Sequence, residues 1–252
     1  MKTFLLCAGA GTRLGQLTAE TPKCLLDLHG RPLLYYLCRQ LAQHGTTEFI
    51  INYTQGTTGE AIPTTMGKDF QGIPIRYSRE PQRLGTAGSL RFAQALLTDE
   101  NFIVHYGDIL HFHNWASTLE KHRCTGATVT CVVHHRKGSN SILEITENGC
   151  VTQWLERPTP AQRQLSTSDC VSSSLFVCHQ RLLPHIPVAT ACDLPRDIFP
   201  TLVRHHQIFA DPLNGPRVAI DSPERYQQAQ HLIQTTPPPT TTPATHHHAI
   251  LS

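Results

Sequence analysis

The stretch from Leu5 to Leu26, LLCAGAGTRLGQLTAETPKCLL, decides the fold. It opens as a short apolar run, Phe4-Leu5-Leu6-Cys7, the pattern of a strand buried on both faces. The run then breaks into Ala8-Gly9-Ala10-Gly11-Thr12-Arg13, and a Pro22-Lys23 pair follows. Small residues let backbone N–H groups come close to a phosphate chain that larger side chains would hold off. Arg13 and Lys23 add two fixed positive charges to the same cradle. A buried strand feeding such a loop predicts an α/β sheet that holds a nucleoside triphosphate by its phosphates.

Two other glycine loops are excluded by spacing. A dinucleotide fingerprint G-x-G-x-x-G would need its third glycine where the chain has Leu14, and Gly15 falls one place late. A dinucleotide-dependent dehydrogenase is disfavoured accordingly. The P-loop fails because no Gly-Lys-Ser/Thr follows.

Working outward, the first half alternates strand and helix. Pro32 to His44 carries an apolar stripe of Leu33, Leu34, Leu37 and Leu41, with Gly45 as a fitting stop. Phe49 to Tyr53 is a second buried strand, a short helix precedes Lys68, and Ile73 to Tyr77 is extended. A loop over Arg79–Gly88 leads into a helix ending near Leu97, Phe102 to Tyr106 is a strand stopping at Gly107-Asp108, and Asn114 caps a helix to about His122. This alternation predicts a mainly parallel sheet with helices on both faces, its ligands beyond the carboxyl ends of the strands. The second half is richer in strands. Ala127 to His134 is extended, Ser141–Ile145 and Val151–Leu155 bracket an Asn148-Gly149 turn, and Val171–Cys178 is a further strand. Asp193 starts a helix and Pro223 to Gln234 forms the last one. The expected organisation is one domain over 1–234, with a nucleotide-binding part (1–124) and a smaller β-rich part (125–234). Residues 235–252, rich in Thr, Pro and His, cannot build a core and are expected to be disordered.

Composition narrows the classes. With 252 residues, 39% of them hydrophobic, the chain can bury a full core. A net charge of +2 offers no broad basic field, so nucleic acid is not expected as a partner. No apolar run reaches membrane-span length, and the N-terminus runs straight into a core strand, so a cytoplasmic protein without a membrane partner is expected. The nine cysteines contain no C-x-x-C pair and read mostly as small buried hydrophobes. Among sixteen histidines, His111-x-His113, His134-His135 and His205-His206 read as surface residues rather than metal ligands. His246-His247-His248 has no assigned role.

Taken together, G-x-G-T-R-L and P-K resemble the signature of the sugar-phosphate nucleotidyltransferases, which join a nucleoside triphosphate to a sugar 1-phosphate and release pyrophosphate. The resemblance spans roughly Met1 to Gln230. It implies the Rossmann-like nucleotide-diphospho-sugar transferase fold, with Arg13, Lys23 and Asp108 as the catalytic set. Leu6, Ala8, Gly9, Ala10, Gly11, Thr12, Arg13, Lys23, Leu84, Gly85, Thr86 and Gly107 would surround the nucleotide. Glu80–Gly88, with Leu84-Gly85-Thr86-Ala87 at the family's usual L-G-T-A, looks like the base-recognition loop, Gly85 letting backbone groups reach the base edge and the following helix N-terminus pointing its dipole inward. Gly107-Asp108 resembles the family's strand-end pair whose aspartate binds Mg²⁺. Glu156-Arg157-Pro158 falls where the family has E-K-P, so Glu156 and Arg157 would meet the sugar phosphate, and Asp193–Pro200 resembles a mostly structural family helix.

Two departures stand out. The family's N-A-G strand is Ser172-Ser173-Ser174 here, so Ser172 would face the sugar with a shorter polar group. The family's second metal aspartate falls in register on Ala219, with Asp221 two residues on, the same face of a continued strand but about 6–7 Å further along. The resemblance implies in-line attack by the sugar phosphate on the α-phosphorus without a general base. The leading expectation is a guanylyltransferase acting on mannose- or heptose-1-phosphate for polysaccharide or glycoconjugate synthesis. Uridylyl or cytidylyl transfer, a homologue that binds nucleotide or NDP-sugar without turnover, and a homo-oligomeric state remain open.

Overall fold

A computed structural model describes residues 1–9 and 11–236. The proposed tail from residue 237 on, His246-His247-His248 included, lies outside the described residues, while Thr235 still belongs to the last helix.

Eight strands form the central sheet: β1 (Lys2–Leu6), β2 (Glu48–Thr54), β3 (Asp69–Phe70), β4 (Ile73–Glu80), β5 (Asn101–Tyr106), β6 (Val129–His135), β7 (Cys170–His179) and β8 (Ile208–Pro212), in the order β8-β6-β7-β5-β1-β2-β4-β3. The β1–β2, β1–β5, β2–β4 and β6–β8 pairs are parallel. Only β7 and the short β3 run the other way. Among the described residues there are seven α-helices: α1 (Leu33–Gln43), α2 (Ala61–Met66), α3 (Gly85–Phe92), α4 (Ala116–Thr125), α5 (Pro160–Leu165), α6 (Phe199–Arg204) and α7 (Pro223–Thr235).

Alternating residues of the central strands enter two separate cores, as strand geometry requires. Phe4, Ile50, Phe102 and Val104 pack with α3, α6 and the hairpin residues Leu143, Val151 and Trp154. Leu5, Phe49, Ile51 and Ile103 pack on the other face, where the stripe Leu33, Leu34, Leu37 and Leu41 of α1 lies beside Trp115 and Ala229 of α7. Helices therefore cover both faces of a mainly parallel sheet.

Four local expectations are corrected. Strand β4 continues to Glu80 and α3 begins at Gly85, so the Arg79–Gly88 loop shrinks to residues 81–84, and α3 ends at Phe92 with turns to Leu97. The helix expected from Asp193 begins as a π-helical turn, Leu194–Ile198, before α6. Asp221 is not on a strand: Arg217–Ala219 ends at Ala219, and Asp221 sits in the turn into α7. His111 and His113 are not surface residues but are buried, with His105, between the sheet and Trp115. Spacing hid this because a neutral imidazole packs as an aromatic ring, with only some of its nitrogens paired: His111 Nδ1 accepts from His113 N at 3.0 Å, while His111 Nε2 and both His105 nitrogens have no partner among the described residues. His113 Nε2 meets Thr118 Oγ1 at 2.8 Å, and Thr118 donates to Asp211 Oδ2 at 2.7 Å. His135, His205 and His206 are exposed, as expected.

The topology gathers chemistry on one edge. The carboxyl ends of β1, β2, β4 and β5 meet there. Because β7 is antiparallel to β5, with Leu175 opposite His105, its beginning reaches the same edge.

Candidate active site

The end of β1 is tied to β2 by one side chain. Asn52, fully buried, accepts hydrogen bonds through Oδ1 from Cys7 N (2.6 Å) and Ala8 N (3.3 Å). Its amide donates to Glu80 Oε1 (2.7 Å) and to Ser89 Oγ (3.0 Å). Asn52 therefore fixes where the small-residue loop leaves the sheet. Gly107 brings the end of β5 against this loop: its N–H donates to Leu6 O at 2.9 Å, and a Cβ there would lie 2.5 Å from Cys7 Sγ. The next residue, Asp108, accepts from Lys23 Nζ at 3.1 Å.

These elements enclose a cavity of about 270 Å³ lined by Leu6, Ala8, Gly9, Asn52, Glu80, Leu84, Gly85, Thr86, Gly107 and Asp108, among others. At its closed end Glu80 is fully buried. Burial pushes its carboxyl above the usual carboxylate range, and Oε2 has no hydrogen-bond partner among the described residues. Gly85 adopts φ 72°, and a Cβ there would stand 2.4 Å from Cys192 O. That close approach requires glycine. The N-terminal amides of α3 are already taken: Thr86 N donates to Asp193 Oδ1 (3.1 Å), and Ala87 N and Gly88 N donate to Cys192 O (2.9 and 3.2 Å). The expected inward-pointing helix terminus is thus capped by the chain itself.

A second cavity of about 310 Å³ adjoins the first, the two sharing Thr86, Tyr106, Asp108 and Asp193. Glu156, Arg157, Ser172, Ser174, Arg217, Ala219 and Asp221 line it. Burial raises the Glu156 carboxyl above its ordinary range. The β6–β7 register slips between Ser172 and Phe176, and Ser174 takes φ 59° within this bulge. Ser172 and Ser174 consequently face the cavity, while Ser173 is buried against His134 (2.9 Å). Asp108 stands where the cavities join, so a group bound in each would meet at its carboxylate.

The structure therefore brings Leu6, Ala8, Gly9, Leu84, Gly85, Thr86 and Gly107 around one cavity, Glu156, Arg157, Ser172 and Asp221 around the other, and Asp108 between them. Gly11 (φ 69°) packs beside the Lys23 stem, where a Cβ would lie 3.4 Å from Lys23 Cγ. Ala10 lies outside the described residues, as do the side chains of Thr12 and Arg13, whose backbone forms the 3₁₀ segment Thr12–Thr18. Asn52 and Arg217 were missed by the sequence reading, and Glu80 entered it only as the first residue of the base-recognition loop, without a role of its own. Only the polar residue within the otherwise apolar run of β2 offered a signal for Asn52.

Asp108 at a strand end, with Asp221 on the wall of the same cavity, fits a divalent cation, since Mg²⁺ is commonly held by one or two carboxylates plus substrate phosphates. In the structure Lys23 neutralises Asp108.

The family model described as nucleotidyl transferase matches residues 2–213, and the chain belongs to that family. Mannose-1-phosphate guanyltransferase beta-A from Xenopus laevis is 28% identical over 233 residues, covering 90% of this chain and 62% of the relative. UTP–glucose-1-phosphate uridylyltransferase from Synechocystis is 28% identical over 220 residues, covering 81% and 55%. The chain thus spans about three fifths of the length of these relatives. In fold it is similar to HddC from Yersinia pseudotuberculosis, solved in complex with GMP-PN, with a TM-score of 0.74 at 19% identity over 92% of this chain and 99% of that one.

Proposed function

We propose that this member of the nucleotidyl transferase family condenses a nucleoside triphosphate with a sugar 1-phosphate, giving an NDP-sugar and pyrophosphate. The observation that carries the reading is the pair of adjoining cavities with Asp108 at their junction. One has a small-residue loop for phosphates, the other a polar lining for a sugar phosphate.

In this reading the triphosphate lies along Ala8 to Thr12 with the base between Leu84 and Glu80. A buried carboxylate oxygen without a partner suits guanine, which offers adjacent N–H donors on one edge. The guanylyltransferase relative and the GMP-PN complex support the same base, and mannose- or heptose-1-phosphate is the proposed acceptor. An oxygen of the sugar phosphate, already ionised, attacks the α-phosphorus in line. The bond to the bridging oxygen breaks, and its electron pair leaves with pyrophosphate. Lys23 moves from Asp108 to the α-phosphate, and Arg13 stabilises the leaving pyrophosphate. Asp108, with Asp221, would hold Mg²⁺, which supplies charge neutralisation at the phosphate oxygens. The free cysteines suit a reducing compartment, which supports a cytoplasmic site of action.

Pyrophosphate release, measured across the four NTPs and a set of sugar 1-phosphates, tests this. Release is expected with GTP and a mannose- or heptose-type acceptor, and Asp108→Asn should reduce it at least about a hundredfold. Because Ala219 removes a carboxylate from the cavity wall, a second reading is kept: nucleotide binding without turnover. Nucleotide binding by a folded protein that releases no pyrophosphate with any pair would favour it.

A further inference from the structure

Strand Arg217–Ala219 has alanine where the family resemblance calls for a carboxylate, and an arginine two residues before it. It pairs with Ile109–His111, Ala219 opposite Ile109, and Ile220 N donates to Asp108 O at 2.8 Å. Side chains alternate along it: Val218 packs on the apolar core, while Arg217 and Ala219 face the second cavity. Arg217 is half-buried. Its Nε donates to Ser173 O at 3.1 Å, and among the described residues its terminal nitrogens have no acceptor. Burial lowers its pKa to about 10, which leaves it cationic at neutral pH, and Asp108 draws it the other way. Arg136 and Arg225 line the same cavity, and both act on Arg217. Arg225 is paired with Asp221 at 3.3 Å, whereas the Arg136 guanidinium has no ion-pair partner among the described residues. A guanidinium held in a cavity wall by its Nε, with its terminal donors unspent and open to the cavity, is placed for an anion to complete the site.

We infer that Arg217, assisted by Arg136, binds the phosphate of the incoming sugar 1-phosphate and sets it for attack beside Asp108. A planar guanidinium takes two phosphate oxygens in parallel and leaves the third free as the nucleophile. The methyl group of Ala219 keeps the space beside it clear. Arg217 thus supplies directly the positive charge that a carboxylate at 219 would supply through a held metal ion. That the anion is a sugar 1-phosphate rests on the transferase reading; that the site binds a phosphate does not.

Calorimetry with inorganic phosphate and with mannose 1-phosphate, both in EDTA, tests the assignment on the full chain. Wild type should bind both without metal. Arg217→Gln should weaken binding roughly 10- to 100-fold, Arg217→Lys by an intermediate amount, and neither should change GTP binding. Ala219→Asp should also weaken it, by occupying the guanidinium. Arg136→Gln, at an exposed position that cannot disturb the core, should give a smaller loss. In turnover, Arg217→Gln should raise KM for the sugar phosphate far more than KM for the triphosphate. Wild-type phosphate binding that appears only on adding Mg²⁺, or unchanged binding in a folded Arg217→Gln, would overturn the inference. If phosphate binding depends on Arg217 but no pair releases pyrophosphate, the anion site stands and the transferase reading falls. Turnover with an unchanged sugar-phosphate KM in Arg217→Gln has the opposite meaning.

Discussion

Asn52 shows how much of the site hangs on a side chain that does no chemistry. It satisfies two amides of the phosphate loop and one oxygen of a buried carboxyl at once. Asn52→Leu would keep the volume but leave Cys7 N–H unpaired and Glu80 without its amide donor. We expect a loss of about 2–4 kcal/mol in urea unfolding, with a raised KM for the triphosphate. A variant as stable as wild type would mean that water replaces the amide. Lys23 could be picked out from the sequence as a basic residue following the small-residue loop, and Asp108 from the family resemblance of the strand-end Gly107-Asp108. Asn52 could not, since a polar residue in an apolar strand marks the position but not its partners, which lie 28 to 45 residues away.

At the scale of elements, α3 is clamped rather than merely packed. Its first turn donates three backbone hydrogen bonds to Cys192 and Asp193, Cys192 N returns one to Leu84 O at 2.9 Å, and Leu194 N donates to Thr86 Oγ1 at 2.8 Å. The clamp joins the loop below the first cavity to the π-helical turn beside the second, so both cavities share a wall. Gly85 is where it closes. Gly85→Ala would combine a left-handed backbone with a contact at 2.4 Å, for a loss of about 2–4 kcal/mol. It should also raise KM for both substrates, as read by chemical denaturation and steady-state kinetics. An unchanged KM for the sugar phosphate would show that the wall is not shared in function. The helix itself was legible from its apolar residues, but its start was not, because Gly-Thr-Ala-Gly reads as loop until the 190–194 segment is brought against it.

Over the whole molecule, four buried histidines set the response to acid. His105, His111, His113 and His122 are at most 5% exposed. Burial lowers all four, to about 3 for His105 and about 4 for His113 and His122, with His111 well below its ordinary value. Their folded pKa values lie below the unfolded value of about 6.5, so between roughly pH 6.5 and 4 the unfolded chain binds more protons and stability falls with pH. Each contributes a loss of up to about 2 kcal/mol between pH 6.5 and 5. Urea midpoints at pH 7.5 and 5 should therefore differ clearly, and His111→Phe, which keeps a ring against Trp115 and His105, should narrow the gap. A midpoint independent of pH over this range would show that the cluster is hydrated in solution.

What the sequence determined by itself is what local chemistry can specify. Apolar runs bounded by turn residues are strands, a 3.6-residue stripe is a helix, and their alternation makes a mainly parallel sheet with its loops on one edge. The cradle at Ala8–Arg13 with Lys23 follows from the same reasoning, and Asp108 from the family resemblance. The tertiary structure alone decided which polar side chains lose water together. It put Asn52 beneath the phosphate loop, buried His111 beside His105, ended the Ala219 strand before Asp221, and set Arg217 on the wall of a cavity that Asp108 also lines. The physical reason is that desolvation and charge pairing depend on distance in space, and these partners are separated along the chain by anything from six residues to more than a hundred.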